Sequence, residues 1–173
     1  LLGKPLLAST IAPFQNVPEI EAITLVVTEN NLARANALVE TYGFKKVLTV
    51  CAGGARRQDS VWNGMQTVNG YHWLVVHDGA RPCVTTDEIQ RGLQEAARWG
   101  TAVAAVPAKD TVKISGEDRM ILKTLDRSTL WAAQTPQIFP RKLLYDAYQH
   151  NIDEVTDDAS LVEQTGYPVH LYF

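Results

Sequence analysis

Between residues 5 and 107 the chain alternates short runs of β-branched and apolar residues with turns and helix-length segments. Ile23–Thr28, Lys46–Cys51, Trp73–Val76 and Thr101–Val106 read as strands, because such side chains favour a pleated, buried surface. Helices are expected from Pro5 to about Ala12, from about Asn31 to Thr41 with Gly43 as its stop, from Asp59 to Val68, and from Thr85 to Trp99. Pro5 suits a first helical turn, where its missing N–H goes unused. Thr85-x-x-Glu88 has the spacing of a capping box, and Gly100 stands where a helix stops. Strand–helix alternation of this kind specifies an α/β fold: a mostly parallel, doubly wound sheet flanked by helices, with right-handed crossovers. Ligands of such sheets gather beyond the carboxyl ends of the strands. Gly53-Gly54 and His77-Asp78 both follow strands and so fall on that edge.

The rhythm changes between Asp110 and Arg127. Thr111–Ile114 and Met120–Thr124 alternate on either side of the turn-rich Ser115-Gly116-Glu117-Asp118, the pattern of a β-hairpin arm over about 110–127. An isolated two-stranded hairpin is marginal in water, so the arm needs something to pack on, and a second subunit is a good candidate. Helices are expected from Pro140 through Tyr148 and from Asp157 to Gln164, and Val169–Phe173 reads as a strand. Trp131–Phe139 mixes apolar and amide groups and reads first as a packing segment, with Pro136 fixing its path, and as the alternative a support around the site. With no internal repeat or long linker, residues 1–173 form a single domain.

Composition narrows the function classes. A chain of 173 residues, 46% hydrophobic and with net charge −3, suits one folded domain and lacks the basic surface of a nucleic-acid-binding module. No apolar run is long enough to span a bilayer, and the Leu1–Pro5 start lacks the apolar core of a signal peptide. Two cysteines and four scattered histidines form neither a disulfide framework nor a zinc spacing, so a reduced, cytoplasmic setting is the simplest reading. Leu1 opens directly into a helix pattern and Phe173 closes a strand-like run, so further sequence is expected on both sides.

Three constellations carry chemistry. In Cys51–Val61, Gly53 and Gly54 allow a flat ligand to approach the backbone, Ser60 adds a hydroxyl, and Arg57 can neutralise phosphate or hold an acidic loop residue. The plainer alternative is a strand–helix turn with solvated arginines, and the segment is not a phosphate loop of the Gly-x4-Gly-Lys-Ser/Thr type. In His77–Pro82, Asp78 stands where Mg²⁺ and a nucleotide phosphate can meet, where it can instead bond a ribose hydroxyl or only cap the turn. Arg81 can pair with it, and His77 reads as satisfying a hydrogen bond at the strand end. Third, Lys109-Asp110-Thr111 and Asp126-Arg127 meet at the base of the hairpin, where hydroxyl, carboxylate and guanidinium suit a phosphorylated polyol. Asp126 and Arg127 can equally form a mere surface pair. Asp157-Asp158 is explained adequately by the first turn of a helix, ahead of a metal-ligand role. The four tryptophans read as core or interface residues.

These segments resemble the methylerythritol phosphate cytidylyltransferases of isoprenoid precursor synthesis. The resemblance runs through Gly53–Val61, Val76–Pro82, Ala105–Lys113, Leu125–Trp131, Gln134–Gln137 and Thr156–Ser160, in order, over nearly the whole chain. It implies a Rossmann-like nucleotidyltransferase fold, a homodimer joined through the β-arm, CTP as substrate and Mg²⁺ or another divalent cation. Gly54, Ala55 and Ser60 would face cytosine, with Gly53 shaping that wall. Asp78 would lie beside nucleotide and metal, and Arg81 would support its loop. Thr111 and Arg127, on the arm, would bind the polyol phosphate at the partner's site. The family also has a first strand with a glycine-rich basic loop, which would precede Leu1, and an Asp and a Lys beyond Phe173. A molecule of residues 1–173 alone is therefore expected to have little transfer activity.

The chemistry implied is in-line attack of the acceptor phosphate on the α-phosphorus of CTP. That nucleophile is already anionic, so alignment and charge stabilisation by Asp78 and Arg127 matter more than a general base. The alternatives are a ribitol-5-phosphate cytidylyltransferase and a non-catalytic nucleotide-binding or structural piece.

Overall fold

A computed structural model describes residues 3–150 and 155–173. Helix α1 (Leu6–Asn16) leads into strand β1 (Ile23–Val27), helix α2 (Leu32–Tyr42) and strand β2 (Val47–Ala52). Helix α3 (Arg57–Gln66), strand β3 (Trp73–Val76), helix α4 (Thr86–Trp99) and strand β4 (Ala102–Pro107) complete the alternation. The arm strands β5 (Lys113–Ser115) and β6 (Ile121–Thr124) follow, then strand β7 (Trp131–Pro140), helices α5 (Arg141–His150) and α6 (Asp158–Gln164), and strand β8 (Leu171–Tyr172).

Local signals end these elements much as expected. Gly43 and Gly100 close α2 and α4 in the left-handed region, at φ 64° and 88°, where a side chain would be strained. Thr85 Oγ1 accepts the Glu88 N–H at 3.2 Å and so caps α4. One helix is longer than read and one is displaced. α1 runs through Pro13 to Asn16, because Phe14 is buried and anchors the extra turn. α3 is shifted two residues toward the N-terminus, to Arg57–Gln66, because the Arg56 N–H donates to Asp59 Oδ2 at 3.1 Å and so caps the helix just before Arg57.

β1 and β2 pair in parallel, with Leu25 opposite Val50. A second sheet has the order β3-β7-β4-β8, in which β7 runs antiparallel to both neighbours and β8 runs parallel to β4. The α/β architecture is as read, but the sheet is mixed, because Trp131–Phe139, read as a packing segment and not as a strand, lies in β7. Thr135–Phe139 is buried on both faces of β7, so the alternation that announces a strand is lost.

Ile138 and Phe139 of β7 are fully buried, and Phe139 joins Val103, Leu144, Leu161 and Val162 in the largest core cluster. Burial of a large apolar side chain stabilises by about 1.5–3 kcal/mol, so β7 is central to stability as well as to topology. Among the described residues β1 and β3 have no partner on their outer edges. The two edges face one cavity of about 670 Å³, walled by α1 on one side and by Val61, Gly64 and Met65 of α3 on the other. The arm is a separate two-stranded ribbon in which Ile114, Met120, Ile121 and Leu122 are all exposed.

Candidate active site

The turn after β2 is tied to the end of β1 by Gly53 N–H donating to the Val27 carbonyl at 2.8 Å. Gly54 N–H donates to Ser60 Oγ at 3.1 Å, and that hydroxyl lies 3.2 Å from the Arg56 carbonyl, to which it donates. A Cβ on Gly53 would sit 2.6 Å from Ser60 Oγ, and one on Gly54 would sit 2.3 Å from the Asp59 Cβ. Close approach between turn and helix therefore demands these glycines, not a left-handed backbone. Gly54 and Ala55 are exposed, leaving a bare stretch of main chain beside one free acceptor site on Ser60.

The turn after β3 is held more tightly. Asp78 N–H donates to Thr135 Oγ1 at 3.2 Å, and Arg81 N–H donates to the Asp78 carbonyl at 3.0 Å. His77 Nε2 lies 3.1 Å from the Arg81 carbonyl, which only accepts, so Nε2 carries the proton. Nδ1 is then the acceptor for the Thr135 hydroxyl at 3.0 Å. Burial pushes the His77 pKa below its ordinary value. His77 is thus a neutral strand-end residue, as the sequence indicated.

Both Asp78 carboxylate oxygens are engaged, Oδ1 by Arg57 Nε at 3.3 Å and Oδ2 by Arg81 Nε at 2.9 Å. Partial burial raises its pKa, but hydrogen bonding from Arg81 and the charge of Arg57 outweigh this, and the carboxyl stays below its usual range. Arg81 also reaches Gln134 on β7. Arg57 extends the network inward, donating from Nη1 to Asp158 Oδ2 at 2.8 Å. The Asp158 side chain is fully buried, and Tyr148 Oη–H donates to its Oδ1 at 2.5 Å. Burial lowers the Arg57 pKa, but Asp158 and then Asp78 more than offset it, so the guanidinium is held charged. Burial and the adjacent Asp158 push the Tyr148 hydroxyl far up, keeping it a donor.

The structure therefore brings Gly53, Gly54, Ser60, Asp78 and Arg81 to one edge, with Arg57 bridging the two turns. Thr111 and Arg127 lie apart, at the exposed base of the arm. Arg127 Nη1 donates to the Lys109 carbonyl at 3.1 Å, while Asp126 accepts from Ser128 N–H at 3.0 Å, so these neighbours do not form the surface pair considered above. The arm's ends do close on one another, through Leu125 N–H to the Val112 carbonyl at 3.0 Å. Asp157 caps α6 by accepting from Ser160 N–H at 3.0 Å, the helix-turn role expected. Asp158 does more, for it is the inner anchor of Arg57.

Sequence reasoning counted Gln134–Gln137 toward the resemblance without giving Gln134, Thr135 or Gln137 a bond of its own, and it did not single out Tyr148 at all. Gln137 lies in β7 yet donates to Asp157 Oδ2 at 2.8 Å and accepts from Ala159 N–H at 3.1 Å, pinning α6 to the sheet. The usable signal was polar side chains clustered within an otherwise apolar run. Among the described residues no three His, Cys, Asp or Glu side chains gather as a metal site. Asp78, in the turn after β3, offers a partly exposed carboxylate on this edge. That suits Mg²⁺, which takes one or two carboxylates and fills its remaining positions with water and substrate phosphate.

Residues 1–172 match the family of 2-C-methyl-D-erythritol 4-phosphate cytidylyltransferase (IspD). The chain belongs to this cytidylyltransferase family. A 2-C-methyl-D-erythritol 4-phosphate cytidylyltransferase of Dehalococcoides mccartyi (strain CBDB1) is 44% identical over 172 residues, covering 99% of this chain and 76% of the relative. The crystal structure of the same-named enzyme from Thermus thermophilus superposes with a TM-score of 0.80 at 30% identity, covering 98% of this chain and 78% of that one. A 4-diphosphocytidyl-2C-methyl-D-erythritol synthase structure from Anaerococcus prevotii gives a TM-score of 0.90 at 26% identity, covering 98% and 77%. The chain thus spans about three quarters of the length of these cytidylyltransferases. The family and these relatives favour methylerythritol phosphate over ribitol phosphate as acceptor.

Proposed function

We propose that the chain transfers CMP from CTP to 2-C-methyl-D-erythritol 4-phosphate, releasing pyrophosphate, with the edge joined by Arg57 as the CTP site. The observation that carries this placement is the 3.3 Å contact between Arg57 Nε and Asp78 Oδ1, which brings the glycine turn and the aspartate turn together. Gly54, Ala55 and Ser60 offer main-chain groups and a hydroxyl lone pair to the cytosine edge, with Gly53 as the wall behind them. Asp78 faces the triphosphate, and Arg81 locks its loop.

Asp78 would hold Mg²⁺, and the ion when bound would neutralise charge on the phosphate oxygens. The protein's own part is orientation. Thr135 and His77 fix the main chain at Asp78, and its two arginine partners fix the carboxylate plane. The acceptor's phosphate needs no base to become a nucleophile, so holding it in line with the α-phosphorus is the main requirement.

Thr111 and Arg127 serve the acceptor from the arm. The exposed Ile114, Met120, Ile121 and Leu122 suit burial against a second copy, which would carry those two residues to the partner's site. The facing edges of β1 and β3 suit insertion of the family's first strand, whose basic loop would grip the triphosphate. Cys51 and Cys83 are free thiols, in keeping with a reducing cytoplasm. The test is pyrophosphate release from CTP with methylerythritol phosphate and, side by side, ribitol 5-phosphate. Preference for ribitol phosphate would overturn the acceptor, and an Arg127→Ala enzyme with unchanged acceptor kinetics would overturn the arm's role.

A further inference from the structure

We infer that Tyr148 and Asp158 are positioning residues for cytidylyl transfer, acting through Arg57 on the Asp78 carboxylate. The inference rests on the reading of Asp78 as the nucleotide-side carboxylate. It concerns two side chains that touch no reacting atom.

The geometry is a relay with one rigid member. A guanidinium is planar, so fixing Nη1 also fixes the direction of Nε. Asp158 holds Nη1 at 2.8 Å, and Nε then meets Asp78 at 3.3 Å. Asp158 has no solvent to turn toward, since its side chain is fully buried, and its second oxygen is taken by Tyr148 at 2.5 Å. Tyr148 is placed in turn by Trp62, whose ring stacks 5.8 Å away on α3, the helix that carries Arg57. The relay therefore closes on itself through α3, α5 and α6.

Without the Tyr148 hydroxyl, Asp158 loses one of its two donors and draws Arg57 toward itself. Nε then leaves Asp78, and that carboxylate is steered by Arg81 alone. The consequence falls on nucleotide binding and alignment, while the acceptor's binding on the arm is untouched.

The test uses Tyr148→Phe, Asp158→Asn and Arg57→Gln in the full chain, with Asp78→Asn as reference. Each substrate is varied separately, and CTP affinity is measured by calorimetry without acceptor. Residues that orient a metal- or phosphate-side ligand typically matter by about 10–100-fold, so kcat/KM for CTP should fall within that range for Asp158→Asn. Tyr148→Phe should give a smaller loss of the same kind, with weaker CTP binding and an unchanged acceptor KM. Adding either change to Arg57→Gln should cost nothing more, because the path is already cut.

Should Asp158→Asn fail to fold, Tyr148→Phe decides the matter, because it deletes a single oxygen. Unchanged CTP kinetics and affinity in folded Tyr148→Phe, additive losses in the Arg57→Gln background, or an equal rise in both KM values would each overturn the inference. Full activity in Asp78→Asn would overturn the reading of Asp78 and the inference with it. Loss in Asp78→Asn beside an unaffected Tyr148→Phe would overturn the inference alone.

Discussion

Arg57 donates to the fully buried Asp158 carboxylate at 2.8 Å across 101 positions of sequence, fastening the helix that follows the glycine turn to a helix near the far end of the chain. The pair is partly in water on the arginine side and wholly dry on the aspartate side. Removing one member of such a pair strands the other.

Stability should therefore respond asymmetrically. Arg57→Ala leaves Asp158 buried with only Tyr148 for a partner, and is expected to cost about 3–5 kcal/mol. Tyr148→Phe deletes one hydrogen bond to a charged acceptor and should cost about 1.5–3 kcal/mol. Urea unfolding of the two variants would show the difference, and equal losses would contradict it.

Gly54→Ala is expected to harm CTP binding more than Ser60→Ala. The new methyl would lie 2.3 Å from the Asp59 Cβ, so turn and helix must part. Ser60→Ala removes the acceptor of the Gly54 N–H, a loss of about 1 kcal/mol, and the lone pair proposed to face cytosine, but it leaves turn and helix in place. Calorimetric titration with CTP should rank the variants in that order.

Acid should weaken the fold in two stages. His77 has a folded pKa below its unfolded value of about 6.5, so its contribution is complete above that pH and is lost as pH falls through the folded pKa. Asp78 is also depressed, so its contribution is present above about pH 4 and is lost as pH falls through its own lower folded value. Below about pH 6.5 the stability of the wild type should decline by up to about 1.4 kcal/mol per pH unit for the one proton taken up by His77. A His77→Gln variant should lack that stage and keep the acid one. Urea unfolding of both proteins across the pH range would show whether the first stage disappears.

Tyr172 carries the one buried side-chain polar atom among the described residues without a hydrogen-bond partner. Tyr172→Phe is accordingly expected to preserve stability or raise it by about 1 kcal/mol, the lower bound for a stranded polar group. Gly92→Ala should destabilise, because a Cβ there would lie 2.5 Å from the Tyr172 hydroxyl and 2.8 Å from Ile138 Cδ1. Combining the two should not repair the second clash. Thermal melts of the three variants test this.

The arm's apolar face predicts its own association behaviour. With the proposed arm-joined dimer, Ile121→Glu with Leu122→Lys should leave circular dichroism unchanged and give a monomer by light scattering. Both side chains are more than half exposed in the single protomer, so a large loss of secondary structure would instead show that the arm packs on its own domain.

The α/β alternation, the glycine stops at Gly43 and Gly100, the Thr85 cap and the turns after β2 and β3 were legible in the chain. Each depends on residues within one turn or one strand of each other, and so on interactions that short-range spacing encodes. The antiparallel course of β7 was not legible, because a strand buried on both faces loses its alternation. The roles of Asp158 and Tyr148 were hidden for a related reason. Asp158 reads locally as a helix-start acid, and only packing brings it against an arginine 101 positions away and seals the carboxylate from water. Sequence by itself determined where the chain extends, coils and turns; the tertiary structure decided which charges meet and which are buried, because dielectric and distance exist only once the layers have closed.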